Sequence, residues 1–369
     1  MNYEIENVHL RLNNFTHTSK SILGLNLIIY FENITEEYKL INFLGKGTVG
    51  QVYLLESVID KKRYVIKISN TGCCDELKTE VKLIKLYFNK EKIVHASYPI
   101  YAGTFTNMNS FGVIYPFLGY YNLDKLKKIN YKIDFNNNVK IVRQLIDQLI
   151  NFKNIIHGDL KPSNVVINVT TCVTVTIIDF GLIKDSNDKN DIISTSFITS
   201  PESLLSLENF EDCLETDVIF NKHDYFGLFS IIVNLFVKTS YWEIIFNYLI
   251  NHLNYDNKAI EKKKSTIIFV YIWYRFNYNT KEEIINKSLY KVIHKIETYY
   301  PHIKDKKYLN FDNFFEQHIR PKIIENMMNN KKINEFKDFL KNIIMFEPEN
   351  RMKYTELLYH SFLTLYNGS

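Results

Sequence analysis

His157-Gly158-Asp159-Leu160-Lys161-Pro162-Ser163-Asn164 is the stretch on which the reading of this 369-residue chain turns. Asp159 is an acceptor for the proton of an attacking hydroxyl. Lys161 can neutralise charge on a phosphoryl group in transfer, and Asn164 offers a hard oxygen to a divalent cation. Asp179-Phe180-Gly181 follows and adds a carboxylate for the same cation. The apolar strings Val165-Val166-Ile167 and Ile177-Ile178 read as short buried strands. Both polar clusters therefore fall at strand ends or turns, where side chains converge. A lone His-x-Asp is common by chance; this ordered set is not.

Upstream, Gly45-Lys46-Gly47-Thr48-Val49-Gly50-Gln51-Val52 has glycines spaced to let backbone approach phosphate oxygens closely. Such a string alone also fits a dinucleotide-binding turn. That turn opens a helix, whereas Gln51-Val52-Tyr53-Leu54-Leu55 alternates as a strand. A second strand, Tyr64-Val65-Ile66-Lys67-Ile68, follows at once. Strand, glycine loop, strand, and a lysine-bearing strand, followed by the Asp159 and Asp179 clusters, resemble the catalytic core of the eukaryotic protein kinases. The resemblance covers about residues 38–240 and 336–363.

It implies an α+β, two-lobed fold with a β-rich small lobe and a mainly helical large lobe. Residues 1–36 form an extension, 37–118 the small lobe, and 119–369 the large lobe, with an insertion within 240–335. It also implies ATP as phosphoryl donor beneath Gly45, Lys46, Gly47, Thr48, Val49, Gly50 and Val52, with Lys67 on the phosphates. Asp159 orients the hydroxyl, and Asn164 and Asp179 hold Mg²⁺ or Mn²⁺. The segment Asp75–Leu86 has helical apolar spacing at 77, 81 and 84, and its Glu80 resembles the glutamate that pairs with the lysine. Glu76, one turn earlier, is the substitute. Phe111–Gly119 resembles the last small-lobe strand and hinge, with Ile114 as gatekeeper and the backbone of Tyr115 and Phe117 meeting adenine. Lys161 and Thr195 match Ser/Thr-specific members. Asp224 resembles the aspartate opening a buried large-lobe helix, and Glu202 and Arg351 resemble a buried ion pair.

Two departures shape the functional reading. Gly158 stands where most regulated members have the arginine that grips an activation-segment phosphate, and residues 179–202 contain no arginine. The expectation is a Ser/Thr protein kinase that works without phosphorylation of that segment. His157-Gly158-Asp159 also resembles the aminoglycoside and choline kinases, which lack a lysine two after the aspartate, the Pro201-Glu202 pair and the Asp224 counterpart. A scaffold without catalysis is the other alternative; such chains usually lack the Lys, Asp or Asn that is present here.

Composition narrows the rest. A hydrophobic content of 46% suffices for a large core, and a net charge of +4 implies no nucleic-acid field. Four cysteines without metal spacing point to a reducing, intracellular setting. The expectation is a cytoplasmic monomer acting on a protein substrate, with no signal peptide and no membrane span. Abundant Asn, Lys, Ile, Tyr and Phe fit an AT-rich genome such as that of a large DNA virus (the cytoplasm is then the host's) or an intracellular parasite. Residues 23–31 read as either a strand or a short helix, and the aromatics at 269–276 as core.

Overall fold

The computed structural model describes residues 8–15, 21–32, 34–93, 95–169, 173–186, 200, 222–239, 243–244, 262–285, 287–299, 310–325 and 327–364. The chain divides into two compact units. One holds residues 1–120 with 166–168 and 178–183; the other holds 121–165, 169–177 and 184–369.

The first unit is a closed β-barrel with one helix on its wall. Its strands are β1 (Val8–Leu12), β2 (Asn26–Phe31), β3 (Ile34–Lys46), β4 (Gly50–Ser57), β5 (Arg63–Ser69), β6 (Tyr101–Phe105) and β7 (Phe111–Pro116), ordered β1-β2-β3-β4-β5-β7-β6 around the barrel. Neighbours run antiparallel except β1 and β6, where Val8 lies beside Gly103 and Leu10 beside Phe105 in parallel. Residues 26–31 are thus strand. Val8, Leu10, Leu27, Ile29, Leu40 and Ile66 fill the interior. Burying each such side chain is worth about 1.5–3 kcal/mol. A Cβ on Gly103 would stand 2.0 Å from the Val8 carbonyl oxygen, so closure by β1 requires glycine there. Helix α1 (Cys74–Glu91) lays Leu77 and Val81 against Ala102 and Val113 on the outer wall.

The second unit is mainly helical. Helix α2 (Leu123–Lys128) is capped by Asn122, and α3 (Phe135–Asn151) by Asp134, whose side chain accepts from the Asn137 N–H at 2.8 Å. The stripe Val139, Val142, Leu145, Ile146 and Leu149 is buried, as its spacing predicts. Helix α4 (Asp224–Phe236) is mostly apolar and buries every residue except Asn234. Within the insertion, helix Lys262–Asn277 buries Tyr271, Trp273, Tyr274 and Phe276 as core, and Trp273 meets the Phe226 ring edge-on at 4.9 Å. No helix among the described residues is long and apolar enough to cross a membrane.

Candidate active site

Strand alternation decides which way Lys67 faces. Ile66 and Ile68 point into the barrel, so Lys67 projects from its outer wall. Its ammonium donates to Glu80 Oε2 at 2.7 Å and to Asp179 Oδ1 at 2.9 Å. Glu80 lies on the buried face of α1 with Leu77, Val81 and Ile84, whereas Glu76 is exposed. Burial works against the charge on Lys67, but the Asp179 and Glu80 carboxylates outweigh it and hold the ammonium's pKa above the ordinary lysine value. For Glu80 burial dominates and lifts the carboxyl above its usual range; Lys67 opposes this and the Asp179 charge adds to it. Asp179 adopts a left-handed φ of 66°. Next to it Phe180 is buried beside the rings of Phe88 on α1 and His95, at 5.0 and 5.5 Å.

The glycine string is the turn between β3 and β4. Gly45 pairs with Val52 and Lys46 with Gln51, and the Gly47 N–H closes the turn on the Gly50 carbonyl at 2.8 Å. Asn70 pins that turn from the end of β5. Its side-chain amide donates to the Thr48 carbonyl at 2.7 Å and its N–H to the Val49 carbonyl at 2.8 Å. Sequence reasoning missed Asn70, because an asparagine after a strand is the ordinary mark of a turn.

Ile114 is a correction. Expected as gatekeeper, it points into the barrel interior. Tyr115 occupies the face shared with Lys67, packs beside Val113 and Val81, and donates its hydroxyl to Glu80 Oε1 at 3.2 Å. The strand is apolar on both faces, so its pattern could not fix which residue faces out, and an error of one position reverses the face. Phe117 follows β7, with its ring 4.8 Å from that of Tyr120.

In the second unit, the backbone of the loop that carries Asp159 hangs on α4. Asp224 Oδ2 accepts from the His157 N–H at 2.7 Å and Oδ1 from the Gly158 N–H at 3.0 Å. Asp224 is itself 6% exposed. Gly158 has φ 79°, a conformation that glycine adopts without the steric cost a side chain would bring. The Asp159 N–H donates to His157 Nδ1 at 3.2 Å. Asp159 Oδ2 accepts from Lys161 Nζ at 2.6 Å and from Asn164 Nδ2 at 3.2 Å, and Asn164 Nδ2 also reaches the Asp159 carbonyl at 2.9 Å. Two of the predicted residues, Lys161 and Asn164, thus converge on the carboxylate of a third.

Thr195 and Glu202 lie outside the described residues. Arg351 is buried, donates to the Met345 and Lys222 carbonyls at 2.8 and 3.0 Å, and stacks 4.9 Å over the Phe226 ring. At the far end of α4 from Asp224, a cavity of about 420 Å³ is lined by Leu126, Lys127, Asn138, Val237 and Met327, and holds none of the predicted residues. Lys127 there donates to the Val237 and Asn234 carbonyls at 3.0 and 3.3 Å, satisfying the C-terminus of α4. Among the described residues no three His, Cys, Asp or Glu side chains gather into a metal site of their own.

A β-rich unit with a lysine–glutamate pair and a helical unit with an aspartate–lysine–asparagine loop define a two-lobed phosphotransferase. Residues 38–363 match the family described as the protein kinase domain, and the chain belongs to that family. Its fold is also similar to the crystal structure of the kinase domain of PF14_0431, with 18% identity and a TM-score of 0.59 over 89% of this chain and 95% of that one.

Proposed function

We propose that the chain is an active Ser/Thr protein kinase that moves the γ-phosphoryl group of ATP to a protein hydroxyl. The observation that carries this is two sets of polar partners among the described residues: Lys67 shared by Glu80 and Asp179, and Lys161 and Asn164 turned onto Asp159. Lys67 binds the nucleotide phosphates. The Gly45–Gly50 turn covers them, with the Thr48 and Val49 carbonyls already occupied by Asn70 and so not facing the anion. With Tyr115 as the outward residue, the hinge groups for adenine shift by one, from the backbone of Tyr115 and Phe117 to the Pro116 carbonyl and the Leu118 N–H.

Asp159 receives the proton of the attacking hydroxyl as its oxygen bonds to the γ-phosphorus and the bond to the β-phosphate oxygen breaks, releasing ADP. Lys161 offsets charge on the moving group. The family resemblance assigns Asn164 and Asp179 as the residues that would hold Mg²⁺ or Mn²⁺, whose charge would neutralise phosphate. Lys161 and Thr195 support Ser/Thr over Tyr acceptors. The adjacent free thiols Cys73 and Cys74 support a reducing, cytoplasmic setting.

Gly158 supports activity without phosphorylation of the activation segment. The residue immediately before Asp159 is glycine and not arginine, and the Gly158 N–H is already committed to Asp224. The test is transfer of labelled γ-phosphate to a generic basic protein by dephosphorylated enzyme, followed by phosphoamino-acid analysis. Label on Ser and Thr without a lag is expected. Label on Tyr overturns the acceptor class. A lag abolished by prior phosphorylation overturns independence, and absence of any Asp159-dependent transfer returns the chain to the scaffold reading.

A further inference from the structure

We propose that Tyr115 is a positioning residue for Lys67: its hydroxyl fixes one carboxylate oxygen of Glu80, so that the other is presented to the lysine ammonium. The inference rests on the kinase reading above and gives a role to a strand side chain that the reading leaves unassigned.

The register supplies the geometry. On β5 and β7, Val65 stands opposite Tyr115 and Lys67 opposite Val113, so Lys67 and Tyr115 share the outer face while Ile66 and Ile114 share the inner one. The two donors divide Glu80 between them. Tyr115 takes Oε1 at 3.2 Å and Lys67 takes Oε2 at 2.7 Å. Without Tyr115 the carboxylate is fixed at one oxygen only and can turn about its last bond, carrying Lys67 with it. The charged groups facing Glu80 are Lys67 from β5 and Asp179 from the segment after residue 177; Tyr115 is the neutral donor from β7. Burial of the phenol, reinforced by the Glu80 and Asp179 charges, holds its pKa well above the usual tyrosine value, so it stays a donor. Around a side chain that is 4% exposed, each such donor also favours the ionised carboxylate that Lys67 needs.

The experiment compares wild type, Tyr115→Phe, Glu80→Ala and the double variant, as full chains, with ATP and a generic basic protein. Tyr115→Phe keeps the ring and removes only the hydroxyl. It should lower kcat about tenfold, the worth of one hydrogen bond to a charged acceptor, with nucleotide KM moving less than about twofold. In the Glu80→Ala background the same change should alter kcat less than about twofold. A denaturant-unfolding cycle on the same four proteins should show matching coupling. Unchanged kcat in Tyr115→Phe, or equal losses in both backgrounds, overturns the positioning role. A wild type without transfer but with coupled stabilities overturns the kinase reading and leaves Tyr115 as a structural partner only. Absence of coupling in both measurements overturns the contact itself.

Discussion

Lys67 is held by other side chains, whereas Asp159 sits on a loop whose own backbone is held. The ammonium lies between Glu80 and Asp179, and each of the three depends on the charge of the others. Around Asp159 the anchor is one buried carboxylate, Asp224, that takes two main-chain N–H groups. A charge network loosens or tightens with protonation and with arriving anions. A main-chain anchor fails only by coming apart. Under the proposed function, the first arrangement suits a part that meets a changing load of phosphate charge, and the second a part that must present one base in one place.

Removing the anchor should have the largest effect. Asp224→Ala strands two buried N–H groups that each lose a charged acceptor, at roughly 1.5–3 kcal/mol apiece, so unfolding free energy should fall by about 3–6 kcal/mol. Transfer should be lost with it. Wild-type stability by denaturant titration would show that the loop is held by something else.

Changes in the side chains themselves should separate the two regions. Asp159→Asn leaves the anchor intact, so kcat should drop by about 10²–10⁴ with melting temperature and nucleotide affinity nearly unchanged. Lys67→Met should abolish transfer and also lower the melting temperature, because Glu80 and Asp179 are left without their shared cation. Glu80, its pKa raised by burial, takes up a proton in the folded chain at higher pH than in the unfolded one. Its contribution to stability is therefore present at low pH and lost as pH rises, so the Lys67→Met deficit should shrink between pH 7.5 and pH 5.5. A deficit constant across that range would break the comparison.

A smaller effect is expected at Gly158. Gly158→Ala forces a side chain into the left-handed region and should cost about 1–2 kcal/mol. Gly158→Arg should pay the same strain and gain no dependence on phosphorylation, which a phosphatase-treated sample checks.

The smallest concerns the other end of α4. Burial lowers Lys127 to about 8 against a small pull from Glu243 and Asp124. Between about pH 8 and the ordinary lysine value the unfolded chain binds the extra proton, so stability should rise with pH across that window. The melting temperature of wild type should gain on that of Lys127→Met between pH 8 and pH 9.5; parallel curves would place the amine in a wetter site.

Legibility in the sequence followed how local the signal was. The residues from His157 to Asn164 occupy one short loop, and Lys67 and Glu80 are 13 positions apart, so short motifs carried the family resemblance that proposed their partners. Barrel closure was hidden. Val8, Leu10 and Leu12 alternate with exposed His9 and Arg11, a visible strand pattern, but the edge that completes it begins at Gly103 and no periodicity reports pairing at that range. Tyr115 was assigned to the hinge because β7 is apolar on both faces; only the register with β5 shows which residues look outward.

That closure sets a schedule for synthesis. Leu12 meets its partner Asn107 95 residues later, so at a ribosomal pace of about 5–20 residues per second β1 and β2 wait roughly 5–20 s with one edge open. An unpaired strand edge is where foreign strands add. The same seam that leaves the finished small lobe without a free edge is thus its longest exposure while the chain is being made.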